Sequence, residues 1–166
     1  MKRFLHTSRA DVLRGLIIYS SGDSVAALLL RQFSWCRLVG IALVGATVYA
    51  VEIPSVFHWI DRVAGESGLA TSLKRTGLAL LYFNPLWIAR HLFFIQLFSC
   101  AWSNINFSLV RLGLAAFVAN IPIALVANYL IQNAVPLKWR FFASAVFSAL
   151  MAVYYAASDV LFGGFA

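Results

Sequence analysis

The segment IIYSSGDSVAALLL, residues 17–30, has ends apolar enough to dissolve in lipid, yet its middle holds Ser20, Ser21, Gly22, Asp23 and Ser24. A charged side chain at the centre of a bilayer costs at least about 2.5–3.5 kcal/mol on insertion scales. An acid kept there needs a basic partner, a hydrated path or a nearby interface. Asp23 is therefore read either as a lock between helices or as part of a polar seam.

The rest of the chain makes a bilayer the expected solvent. Hydrophobic residues form 62% of its 166 positions, charged ones only 11%, and the mean hydropathy is +0.84. A soluble domain devotes about 25% of its residues to charge, so the composition predicts an all-α integral membrane protein. The apolar runs are continuous, which excludes the alternation of barrel strands. At roughly 20 residues per crossing, candidate spans cover 12–30, 38–57, 77–98, 107–135 and 141–162. The fourth contains Asn120, Pro122, Asn128 and Asn133 and stops at Pro136. Because proline removes a backbone donor, a kink or break is expected near Pro122. The expectation is one helical domain over 1–166, a bundle of four to five transmembrane helices with a kinked or broken fourth segment. Short connections make consecutive spans antiparallel neighbours.

The net charge of +7 is scattered singly at the ends of apolar runs, which reads as topology rather than as a nucleic-acid footprint. With five spans, Lys2, Arg3, Arg9, Arg62, Lys74, Arg75, Lys138 and Arg140 share one side, against Arg31 and Arg37 on the other. That bias directs the N-terminus to the insertion-side compartment. The opening MKRFLHTSR, poor in acids and holding Arg, Ser and Thr, also fits a mitochondrial-type targeting segment.

Arg14, Arg90 and Arg111 fall within spans, as do Asp23 and Glu52. At about 1.5 Å per residue, Asp23 and Arg90 lie at similar depth in the outer half, and Arg14 and Glu52 in the inner half. Two intramembrane pairs are expected, Asp23–Arg90 and Arg14–Glu52, serving as locks or lining a hydrated pathway. His91 beside Arg90 is a candidate gating group. Ala42, Ala46 and Ala50 form a small-residue stripe in the second span, while Gly15, Gly22 and Ala26 share a face in the first. Trp35, Trp59, Trp87, Trp102 and Trp139 fall near span ends, as belt residues do. Cys36 and Cys100 have no metal spacing and are read as free thiols on one side, with a disulfide as the alternative. No nucleophile–base set, metal box or phosphate loop is visible, so no enzymatic activity, cofactor or metal is expected.

Three stretches resemble the Mpv-type family of mitochondrial inner-membrane and peroxisomal membrane proteins. FLHTSRADVLRGLIIYSSGDSVAALL is similar to the family's opening, with its Gly-Asp pair at Gly22 and Asp23. RLVGIALVGATVYAVEIPSVFHWIDR has an Arg before the second span and an Asp after it, Arg37 and Asp61. NIPIALVANYLIQNAVPLKWR follows the family's closing order at Pro122, Asn128, Val135, Pro136 and Arg140. The likeness covers nearly the whole chain through short motifs. Ala50 and Val51 stand where the family has Gly-Pro, Ile121 stands where it has Trp before Pro122, and about three residues are inserted before Pro136.

This resemblance implies a small channel or transporter-like protein for metabolites, with Gly22 and Asp23 in its pore or gate. It implies the mitochondrial inner membrane, with peroxisomal or bacterial inner membranes as the alternatives. Five helices are narrow for a pore, so a homo-oligomer or a larger membrane complex is expected besides the bilayer. A second reading is an accessory subunit that buries Phe93-Phe94 and Phe141-Phe142 against unlike chains. A third is a carrier of lipid-linked precursors with Arg31 and Arg37 at one leaflet.

Overall fold

In the computed structural model, residues 5–65 and 68–162 are described, with side chains except at 85–86 and 155–162. Lys2 and Arg3 of the expected charge bias lie outside these residues. The elements are α1 (Arg9–Leu29), α2 (Trp35–Val44), a π-helical turn (Gly45–Tyr49), α3 (Ala50–Ala64), α4 (Leu69–Phe83), α5 (Pro85–Phe98), a short 3-10 turn (Trp102–Asn104), α6 (Ser108–Asn133) and α7 (Leu137–Phe162). Among the described residues there is no strand. Helical stretches Arg9–Leu29, Trp35–Ala64, Leu69–Phe98 and Ser108–Asn133 are long and apolar enough to cross a membrane, and α7 forms a fifth column of 26 residues.

Local chemistry explains where the helices begin and end. α1 starts three residues before the expected span because Ser8 and Asp11 form a capping box: the Ser8 hydroxyl accepts the Asp11 N–H, and the Asp11 carboxylate accepts the Ser8 N–H, both at 3.1 Å. It ends on Arg31, whose φ of 57° lets the Gln32 N–H reach the Ala27 carbonyl at 2.8 Å. The end of α5 repeats this at Cys100, with φ 56° and the Ala101 N–H on Gln96. Both are the left-handed turns that glycine usually supplies. Ser34 then caps α2 by accepting the Arg37 N–H at 3.1 Å.

Of the kink or break expected near Pro122, the break is corrected, since α6 runs unbroken for 26 residues with Pro122 inside it on an exposed position. The Asn120 side chain donates to the Ala116 carbonyl at 2.8 Å and Asn128 to Ala124 at 2.8 Å, so amide side chains reinforce the helix on either side of the proline. The interruptions lie elsewhere. Asn84 separates α4 from α5, whose first residue is Pro85, a position where the missing N–H costs nothing. The second column widens into the π turn just ahead of Pro54, which is held inside α3.

Packing forms two compact units, Met1–Pro54 with Phe141–Ala166, and Ser55–Arg140. In the first, α1 lies against α2 and the π turn. Tyr19 stacks near Tyr49, ring centroids 4.7 Å apart, and near Phe141 at 6.5 Å, with Ile41 buried in the same unit. Gly15 and Gly45 meet backbone to backbone: a Cβ on either would strike the other's carbonyl. A Cβ on Gly22 would come within 2.5 Å of the Ala149 methyl. The face Gly15–Gly22–Ala26 is thus a true contact face. Of the alanine stripe, Ala50 is fully buried whereas Ala42 and Ala46 are only half-buried, and Gly45 makes the close approach. In the second unit α6 packs on α4 and α5, and Phe57 meets Phe83 at 5.1 Å.

These contacts make glycine substitutions diagnostic. Gly15→Ala or Gly45→Ala is expected to destabilise the protein by about 1–3 kcal/mol through overpacking. Gly77→Ala, at a mid-helix site with nothing within 4 Å of the new methyl, is expected to stabilise it by up to about 1 kcal/mol. Reversible unfolding in detergent micelles measures both.

Candidate functional site

The opposing geometry of α1 and α2 supplies Asp23 with its partner. The turn after Arg31 and the Ser34 cap return the chain beside α1, so Arg37, in the first turn of α2, points back along the hairpin. Its Nε donates to Oδ2 at 2.8 Å and its Nη2 to Oδ1 at 2.7 Å. The side chains are 3% and 6% exposed. Two parallel charge-assisted bonds use both carboxylate oxygens. The expected Asp23–Arg90 pair is corrected by this geometry, because the guanidinium one hairpin away occupies the acid completely. Asp23 is a closed lock, with Gly22 beside it admitting Ala149 of α7.

The other expected residues lie on α1, α3 and α5. Arg14 lies near Asp11 at 3.5 Å, with its guanidinium 6.0 Å from the Phe142 ring. Glu52 stands half-buried in the first turn of α3, and Arg90 half-buried in α5. His91 stacks flat on Trp87, centroids 4.9 Å apart and planes within 7°. Phe141 belongs to the interior of its own unit, whereas Phe93 and Phe142 are exposed. Cys36 and Cys100 are exposed free thiols. Among the described residues, no three of His, Cys, Asp and Glu gather as a metal-binding group.

A second charged centre lies in the other unit, built from the remaining motif residues. Arg140 Nη1 donates to Asp61 Oδ1 at 2.6 Å, and Arg75 Nε approaches the same oxygen at 3.2 Å. Arg140 Nε also donates to the Val135 carbonyl at 3.0 Å, just before Pro136, whose carbonyl accepts the Trp139 N–H. At the end of α3, Lys74 donates to the Val63 carbonyl at 2.7 Å and Arg75 Nη2 to the Gly65 carbonyl at 3.0 Å. Cations there answer the carbonyls that a helix leaves unpaired at its C-terminus.

The same unit contains a polar ridge that sequence reading resolved only in part. Asn120, Ala124, Asn128 and Gln132 recur every four residues of α6 and are all buried. Gln132 is 0% exposed, and neither its Oε1 nor its Nε2 has a hydrogen-bond partner. Beside it Asn133 donates to Thr76 Oγ1 at 3.2 Å and to the Tyr129 carbonyl at 2.9 Å. The asparagines mark the ridge in sequence. Gln132 was missed because it looks like one more polar residue at a helix end.

No family model, curated protein or solved structure matches this chain in comparisons with known proteins.

The Asp23–Arg37 lock makes a sign-specific prediction. Asp23→Asn or Arg37→Leu alone is expected to cost about 3–5 kcal/mol, because each leaves an unpaired buried group. The double variant Asp23→Leu with Arg37→Leu is expected to recover most of that loss. A double-mutant cycle on unfolding free energies in micelles reads the coupling directly.

Proposed function

We propose that this is an integral membrane protein acting as a small channel or transporter-like protein for small metabolites, like the Mpv-type family it resembles. The observation that supports this reading is the Asn120–Asn128–Gln132 ridge. A helix otherwise fit for lipid turns its amides inward, against α4 and α5, rather than keeping that contact apolar. An amide buried without a partner costs roughly 1–3 kcal/mol. Gln132 gives its unit a polar interior that packing alone does not need, and a polar solute is the kind of molecule such groups can meet. The reading places the pore-facing polarity on α6 and assigns Asp23 to architecture.

On this reading the basic ends of the spans face the insertion-side compartment. The membrane is the mitochondrial inner membrane, with peroxisomal and bacterial inner membranes as alternatives. A homo-oligomer supplies the width that one chain lacks. The accessory-subunit reading draws support from the closed Asp23–Arg37 pair, which leaves no acceptor for a solute. The lipid-linked carrier reading loses Arg37, whose charge is already spent on Asp23.

The deciding experiment follows solute release and conductance from proteoliposomes. Native protein is expected to release small metabolites. Gln132→Leu is expected to raise unfolding stability by about 1–3 kcal/mol while reducing flux. A silent native protein, folded and inserted, removes the channel reading in favour of the accessory subunit.

A further inference from the structure

Among the described residues, the charged centre at the end of α3 carries more positive charge than its internal partners answer. Asp61 is shared between two guanidiniums, Arg75 and Arg140. Lys74, next to Arg75 in sequence and bound to the Val63 carbonyl, has an exposed side chain. Carbonyl oxygens at a helix end orient these cations but cancel only part of a charge. Each guanidinium also has five N–H donors, more than the bonds to Asp61, Val135 and Gly65 consume.

Two neighbouring tryptophans give the level of this centre. Trp59 precedes Asp61 by two residues and Trp139 adjoins Arg140, and they are 40% and 43% exposed. Exposed tryptophans beside basic side chains, at the ends of apolar helices, are the signature of the headgroup layer. Free anions in water meet no such aromatic rim.

We propose that Lys74, Arg75 and Arg140 form a binding site for the phosphate of an anionic phospholipid, with Trp59 and Trp139 as its interfacial rim. The headgroup phosphate takes the guanidinium and ammonium donors that Asp61 leaves over, and its acyl chains lie along the apolar faces of the helices. Charge complementarity selects the occupant: a phosphodiester with no compensating cation is favoured, and a zwitterionic choline lipid is not. The site rests on the membrane reading alone, not on permeation.

The test is native mass spectrometry and thermal unfolding of the full chain in neutral detergent, with added phosphatidylglycerol or phosphatidylcholine. Phosphatidylglycerol is expected to be retained and to raise Tm, with phosphatidylcholine doing neither. Lys74→Gln and Arg75→Gln are each expected to weaken retention about fivefold, whereas Arg31→Gln, in the other unit, leaves it unchanged. Lys74→Gln changes an exposed side chain, so it carries the test if Arg75→Gln fails to fold. Equal response to both lipids, retention unaltered in Lys74→Gln, or full reproduction of the Tm shift by inorganic phosphate would each overturn the proposal. Solute flux in proteoliposomes is scored separately, so loss of lipid binding and loss of transport are told apart.

Discussion

A carboxylate and a guanidinium shut away from water hold each other because neither has a cheaper way to satisfy its charge. The Asp23–Arg37 pair is of this kind, with both oxygens bonded and both side chains almost wholly covered. It ties the C-terminal half of α1 to the start of α2 and so fixes how the two helices face one another. With that facing set, Gly15 lies against Gly45 and Gly22 against Ala149, contacts that tolerate no extra carbon. The small residues around the acid therefore belong to the same device. They let backbones close in far enough for the charged groups to be covered.

The second unit solves a similar problem with different groups. Its charges gather where helices end, around Asp61, with Asp61 and Arg75 partly exposed and Arg140 buried. Its interior polarity is carried by uncharged amides on α6. Asparagine can donate to the carbonyl one turn back and so remain within an apolar helix, as Asn120 and Asn128 do. Glutamine, one methylene longer, does not do so at 132. Unit 1 thus spends its polarity on a closed pair, and unit 2 keeps a polar interior.

Helical structure throughout the described residues and the presence of helices long and apolar enough to cross a membrane were legible in the sequence, because apolar length is a local signal. The pairing was not. Depth was judged from backbone position, which put Arg37 outside the membrane and Arg90 level with Asp23. A long Arg side chain on the first turn of α2 reaches back down the hairpin, and that reach is invisible to a count of residues per span. For α6 the sequence leaves both one kinked helix and two shorter pieces open: Pro122 forbids one hydrogen bond, but neighbouring side chains bond to the backbone and the helix goes on. The left-handed turns at Arg31 and Cys100 carry no glycine to announce them.

The short separation of Asp23 and Arg37 also bears on how the chain is made. Acid and base are only 14 positions apart in sequence, so the loop that joins them costs little entropy to close. During synthesis, at about 5–20 residues per second, Arg37 emerges within a few seconds of Asp23. The acid of the first helix then has its basic partner within its own hairpin, before any later helix exists. An Asp23–Arg90 pairing would have left the nascent first helix charged until more than half the chain had been translated.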